Sequence, residues 1–207
     1  MSPQSFADDL AYIRDLAEAG QKAPLLGGRF LAWWGGLTTL AYFLHYAIVR
    51  DLFGWPPGAF MVLWIGYILL GVGGSYVLGG MGLRGKPGAA STGNRVAVLV
   101  WKSGGLMLGA FFLGAGIRAW MGHGTVDAFN WSVPLVLGTY GLAQYVSGTI
   151  AGNRTLIRAG QAAIAAVVPA VMMVGMPEVW TTGAIIAALT VFLPGLLLMR
   201  NEPSATV

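Results

Sequence analysis

Six apolar stretches long enough to cross a bilayer, in gaps alternately rich and poor in Lys and Arg, constrain this chain more than any other feature. About 20 apolar residues, rising about 1.5 Å each, traverse a hydrocarbon core of about 30 Å. The stretches fall near 29–49, 58–79, 96–117, 129–150, 156–175 and 178–199. Of the 12 Lys and Arg residues, Arg14, Lys22 and Arg29 precede the first stretch, while Arg84, Lys86 and Arg95 fill the second gap. Arg154 and Arg158 occupy the fourth gap, and Arg200 follows the last stretch. The alternate gaps hold only Arg50 and Arg118, and Lys102 lies inside a stretch. Basic residues accumulate in cytoplasmic loops. The expected fold is therefore all-α: a polytopic integral membrane protein of six transmembrane helices in the cytoplasmic (inner) membrane, with both termini cytoplasmic.

Composition agrees, because 10% charged residues against 56% hydrophobic ones is far below the roughly 25% charge of a soluble domain. The domain plan is a cytoplasmic N-terminal amphipathic helix and linker over 1–28, a transmembrane domain over 29–199, and a cytoplasmic tail over 200–207 too short to fold. Residues before 29 lack the apolar core of a signal peptide, so the first span is expected to stay as an anchor. Within 5–18, Ser5 and Asp8 form a capping box, Phe6, Leu10, Ile13 and Ala17 repeat at helical spacing, and Arg14 can pair with Glu18. Four carboxylates against one arginine in this segment oppose adsorption to an anionic leaflet and suit a protein surface instead.

A tandem repeat of two-helix hairpins is expected at an offset of 69. GGLTTLAYFL at 35–44 lies over GGLMLGAFFL at 104–113 with six identities, and Tyr76, Val77 and Gly79 match Tyr145, Val146 and Gly148. Asn94-Arg95 recurs as Asn153-Arg154. Helix packing is expected at small-residue ridges: Gly71, Ser75 and Gly79; Gly105 and Gly109; and Gly148 and Gly152. These ridges serve the bundle itself, an oligomer or another protein. Pro134, Pro169 and Pro194 each remove a helix hydrogen bond and predict bends.

Polar groups inside a membrane are costly and therefore informative. Lys102 lies seven residues after Arg95, about 10 Å below the cytoplasmic edge, and shares a face with Gly105 and Gly109. Gln144, on a face with Tyr140 and Gly148, lies at similar depth, so Lys102, Gln144 and Tyr140 form a candidate intramembrane polar site. The alternative is a lysine that snorkels to headgroups while Gln144 bonds a neighbouring helix. Tryptophans near the span ends, Trp33, Trp34, Trp55, Trp120, Trp131 and Trp180, fit interfacial belts, and His45 near the outer end of span one fits an interfacial hydrogen-bonding role.

Absences narrow the function. No span contains Asp or Glu, both histidines lie toward the outer side, and cysteine is missing, which removes the usual intramembrane protease constellations and ion-coupling carboxylates. No phosphate-binding glycine motif is present. No catalytic residue, cofactor, metal ligand or nucleic-acid contact is expected. Trp55-Pro56-Pro57 followed by Phe60, Trp64 and Tyr67 resembles the proline-tryptophan segment that enters the second helix of the tryptophan-rich sensory (translocator) proteins. That likeness is confined to this segment and carries no site residue across. The functional expectation is a non-enzymatic regulatory or accessory membrane module, in contact with lipid and with a protein partner through 5–18 or the glycine ridges. The alternative is a small uncoupled transporter or channel for a neutral or anionic solute.

Overall fold

The computed structural model describes residues 8–14, 24–80, 86, 88–122 and 127–202, which are mostly helical with no strand among them. Residues 8–14 form a helical turn, α1, with every side chain exposed, while Ser5, Phe6, Ala17 and Glu18 lie outside the described residues. Six rods follow in chain order: α2 (Gly28–Val49), α3 (Ala59–Gly80), α4 (Thr92–Trp120), α6 (Ser132–Ile150), a broken rod of α7 (Arg154–Ala165) and α8 (Val167–Met172), and a last rod of α9 (Glu178–Ala187) and α10 (Leu193–Arg200). A single turn, α5 (Asp127–Asn130), leads into α6.

Four rods are long and apolar enough to cross a membrane: Ala59–Gly79, Thr92–Trp120, Arg154–Met172 and Glu178–Arg200. The other two, α2 and α6, fall short because they carry the polar side chains of the core. Thr38 and Tyr42 are buried on α2, and Ser132, Tyr140, Gln144 and Ser147 on α6. The apolar rods surround them. α2 packs against α3, α9 and α10, whereas α6 packs against α4, α7 and α8. α3 and α4 are peripheral and expose Met61, Val62, Leu69, Leu106 and Leu113. An outward face this apolar suits lipid as the surrounding solvent.

Backbone contact at glycine holds the rods together. A methyl group at Gly28 would overlap the backbone of Met199, one at Gly35 the backbone of Phe192, and one at Gly195 the backbone of Ala32, so α2 and α10 touch main chain to main chain. Gly141, Gly148 and Gly160 do the same between α6 and α7. Of the expected ridges, only Gly148 behaves as such. Gly71 and Gly74 instead form sockets for the indoles of Trp34 and Trp33, and Gly79 barely reaches the Phe30 ring at 4.0 Å. Trp34 Nε1 donates to Ser75 Oγ at 2.9 Å and Trp33 Nε1 to the Leu70 carbonyl at 3.2 Å, so both tryptophans fasten α3 to α2. Gly105 and Gly109 meet nothing within 4 Å.

Gly152 serves a turn rather than a ridge. At φ +65° it ends α6, with Asn153 N–H bonded to the Gly148 carbonyl at 2.8 Å and Gly152 N–H to the Thr149 carbonyl at 3.3 Å. This paired closure requires a left-handed residue, and glycine adopts it without strain. The chain then reverses through three residues into α7. Asn153 caps α7 by accepting from Leu156 N–H at 3.1 Å. Asn94, its sequence counterpart, sits inside α4, whose cap is Ser91. The aligned glycines differ as well, since Gly35 meets the Phe192 backbone and Gly104 the Thr139 methyl.

The prolines act unequally. Pro134 occupies the first turn of α6, where its missing N–H has no helical partner to lose. Pro169 cannot bond the Ala165 carbonyl, and α7 ends at Ala165. Before Pro194 the helix widens into a π turn, Ala188–Phe192, in which Leu193 N–H reaches back to Ala188.

Candidate functional site

The polar side chains of α2 and α6 converge where the two helices meet through long side chains. Thr38 Oγ1 lies 2.9 Å from Tyr67 Oη of α3 and 3.5 Å from Tyr140 Oη of α6, joining three helices. One turn along α2 toward its C-terminal end, the Tyr42 hydroxyl and Ser132 Oγ of α6 are buried beside each other, short of a well-formed hydrogen bond. Beyond it, His45 Nδ1 accepts from Trp64 Nε1 at 3.1 Å, while its ring stacks on Trp180 with centroids 3.5 Å apart. Thr38, Tyr42 and His45 stand at i, i+4 and i+7 on one helix face, which is why they line up.

Along α6 in the other direction, Gln144 is fully buried, its Nε2 donating to the Tyr140 carbonyl at 3.3 Å and its Oε1 unpaired. Ser147 Oγ, one turn further, is buried and unpaired too. Two of the three residues of the expected site, Tyr140 and Gln144, are therefore together. Lys102 is not with them. It is exposed on α4, beside the open Gly105 and Gly109, and makes no hydrogen bond or ion pair among the described residues. Thr38, Tyr42, Tyr67, Ser132 and Ser147 were missed by sequence reasoning, which weighed ionisable and amide groups and passed over hydroxyls that are inexpensive to bury in a helix. The usable signal was the i, i+4, i+7 spacing on α2.

Two tryptophans assigned to belts belong here or nearby instead: Trp180 is only 2% exposed, under His45, and Trp34 meets Tyr67 edge to face with centroids 5.6 Å apart. Trp55, Trp120 and Trp131 are exposed.

A second polar cluster closes the opposite end of α2. Glu202 accepts from Gly28 N–H at 3.0 Å, from Arg29 Nη2 at 3.2 Å and from Lys86 Nζ at 3.0 Å, with its own side chain only 3% exposed. It caps the positive end of α2 and neutralises two cations at once. Beside it, Asn94 Oδ1 accepts from Leu26 N–H at 2.8 Å, and Nδ2 lies 2.9 Å from the carbonyls of both Pro24 and Gly88. At the other end of the bundle Arg50 pairs with Glu178, joining α2 to α9 on an exposed surface.

Between α4, α6 and α8 lies an open groove of about 590 Å³ lined by Met107, Phe111, Trp131, Leu135, Leu142 and Val167 among others. Its one hydroxyl, on Thr139, is already donated to the Leu135 carbonyl at 2.7 Å, so the groove suits a hydrocarbon chain and offers no polar handle. No group of three metal-binding side chains occurs among the described residues. Comparison with known proteins finds no match: no family model, no curated protein and no solved structure is similar to this chain.

Proposed function

We propose that the protein is a non-enzymatic accessory or regulatory module of the cytoplasmic membrane, crossing it six times with both termini in the cytoplasm and acting by helix association with a membrane partner. The observation that carries this reading is the contrast between filled and open glycines. Gly28, Gly35, Gly141, Gly148, Gly160 and Gly195 are each occupied by a neighbouring backbone, whereas Gly105, Gly109 and Gly116, on one face of α4, meet nothing within 4 Å. In lipid, where no hydrophobic drive separates helices from solvent, close approach at small residues is what joins them. Lys102 on the same face reaches the cytoplasmic headgroups along its stem. The six-span reading draws on the loop charges and on the enclosure of the two less apolar helices by the four apolar ones.

Two experiments test it. Single cysteines at Ala90 and Met121, both exposed, should react with an impermeant maleimide from opposite sides of the membrane, and labelling of both from one side overturns the topology. The native chain has no cysteine to interfere. A photocrosslinking residue at Gly109 should yield a discrete protein adduct in native membranes that Gly105→Leu abolishes; lipid adducts alone overturn the module reading.

A transporter or channel for a neutral or anionic solute is favoured by a different observation, the unpaired Gln144 and Ser147 in the core. Lys102, exposed on α4, takes no part in that cluster. A solute flux in proteoliposomes that Gln144→Leu abolishes would select this reading.

A further inference from the structure

The two faces of α7 differ in kind. Leu156, Gly160 and Ala163 are buried, and a methyl group at Gly160 would overlap the backbone of Tyr145, so contact with α6 fixes the rotation of the helix. Arg154, Arg158 and Gln161 stand at i, i+4 and i+7 on the opposite face, and all three are exposed. Arg29 and Lys86 share Glu202, and Arg50 pairs with Glu178. Arg154, Arg158 and Gln161, by contrast, make no hydrogen bond or ion pair among the described residues. Water can serve the arginines at a membrane edge, but not Gln161. Arg154 opens a rod apolar enough to cross a membrane, and Gln161 lies about 10 Å further along it. An amide facing hydrocarbon is costly unless something at that depth accepts its protons. Beyond Gln161 the exposed side of the rod turns apolar, through Ala165 to Val168 at 64% exposure and Met172 at 75%.

We propose that this face of α7 binds one anionic phospholipid. Two cations, then an amide, then hydrocarbon follow the order of phosphate, ester and acyl chain in such a molecule. Arg154 and Arg158 hold the phosphate through charge-assisted hydrogen bonds. Gln161 Nε2 donates to an ester carbonyl of the glycerol backbone, and an acyl chain lies over Val168 and Met172. A zwitterionic headgroup would bring its own ammonium beside two arginines, whereas an anionic one brings no opposing cation, so the site selects net negative charge. An acidic peptide on the surface could meet the arginines but would leave Gln161 unserved. The inference rests on α7 lying in a membrane and is independent of the partner surface on α4.

Native mass spectrometry of the full chain in detergent, titrated with phosphatidylglycerol or with phosphatidylcholine of the same acyl chains, tests it. Detergent presents the lipid to either end of α7, so the outcome does not depend on the proposed topology. At about fivefold per arginine, one phosphatidylglycerol should bind roughly thirtyfold more tightly than phosphatidylcholine. Replacing both arginines, Arg154→Gln with Arg158→Gln, should erase that preference, whereas Arg95→Gln, which removes an exposed arginine of α4, should keep it. Gln161→Leu should weaken both lipids alike, because both carry the ester. Thermal midpoints of these variants in lipid-free detergent should match the native one, since the replaced side chains bond nothing in the chain; a clear fall would mean that they serve the fold and would overturn the proposal. Equal binding of the two lipids by the native chain would overturn it as well, as would a preference that survives loss of both arginines. Displacement of the lipid by inorganic phosphate alone would mean that the site takes a soluble anion, and the proposal would fail.

Discussion

Replacing Glu202 with alanine isolates the energetics of the α2 terminus. The carboxylate holds Lys86, whose side chain is 9% exposed, Arg29 at 20%, and the first N–H of α2. Removing one partner from a buried ion pair costs about 3–5 kcal/mol, because the remaining charge is left desolvated. Arg29 is open enough to recover some hydration and Lys86 has a long stem that can swing toward headgroups, which reduces the ionic part to about 2 kcal/mol. The lost charge-assisted bond to the α2 terminus adds about 1 kcal/mol. A total near 3 kcal/mol lowers the midpoint of a chain this size by about 6–12 °C. Tryptophan fluorescence during heating in nanodiscs reads the shift. Glu202→Gln, which retains an acceptor for Gly28 but no charge, should fall between the two. A Glu202→Ala midpoint within about 2 °C of the native chain would refute the argument, since that is the effect of an ordinary surface substitution.

Gly195→Leu should prevent stable folding or lower the midpoint by more than any single hydrogen-bond deletion, because its side chain would enter the Ala32 backbone, whereas Gly105→Leu on the open face should be tolerated; similar effects in a thermal assay would contradict the packing. Asn94→Ala should cost about 2–3 kcal/mol, since it strands Leu26 N–H and releases the Pro24 and Gly88 carbonyls, and an unchanged midpoint would mean that water replaces the amide at these contacts.

Helix positions and the Pro169 break were legible because they follow from local rules: the length of an apolar stretch and a missing N–H. Which glycines pack was not. A glycine stripe looks the same whether it meets a backbone, as Gly148 does, an indole, as Gly71 does, or open surface, as Gly109 does. The contact of Gly28 and Gly35 with Gly195 and Phe192 joins the two ends of the chain, and spacing within one segment carries no trace of it. The tail shows the same limit, since Glu202 lies in a segment too short to fold alone yet docks on α2. In the polar core Gln144 stood out as an amide, while Thr38 and Ser147 became informative only once their neighbours were known.

The enclosure of the less apolar helices by the more apolar ones bears on how the chain is made. On the proposed six-span topology, α2 and α6 are the two rods less apolar than the candidate spans, and as each emerges from the ribosome its polar side chains still lack their companions. Each is followed by a rod apolar enough to cross a membrane: α3, fastened to α2 by the Trp33 and Trp34 indoles, and the α7–α8 rod, joined to α6 by a three-residue reversal. On that topology each pair would enter the membrane as a hairpin, the second arm escorting the first out of the insertion machinery.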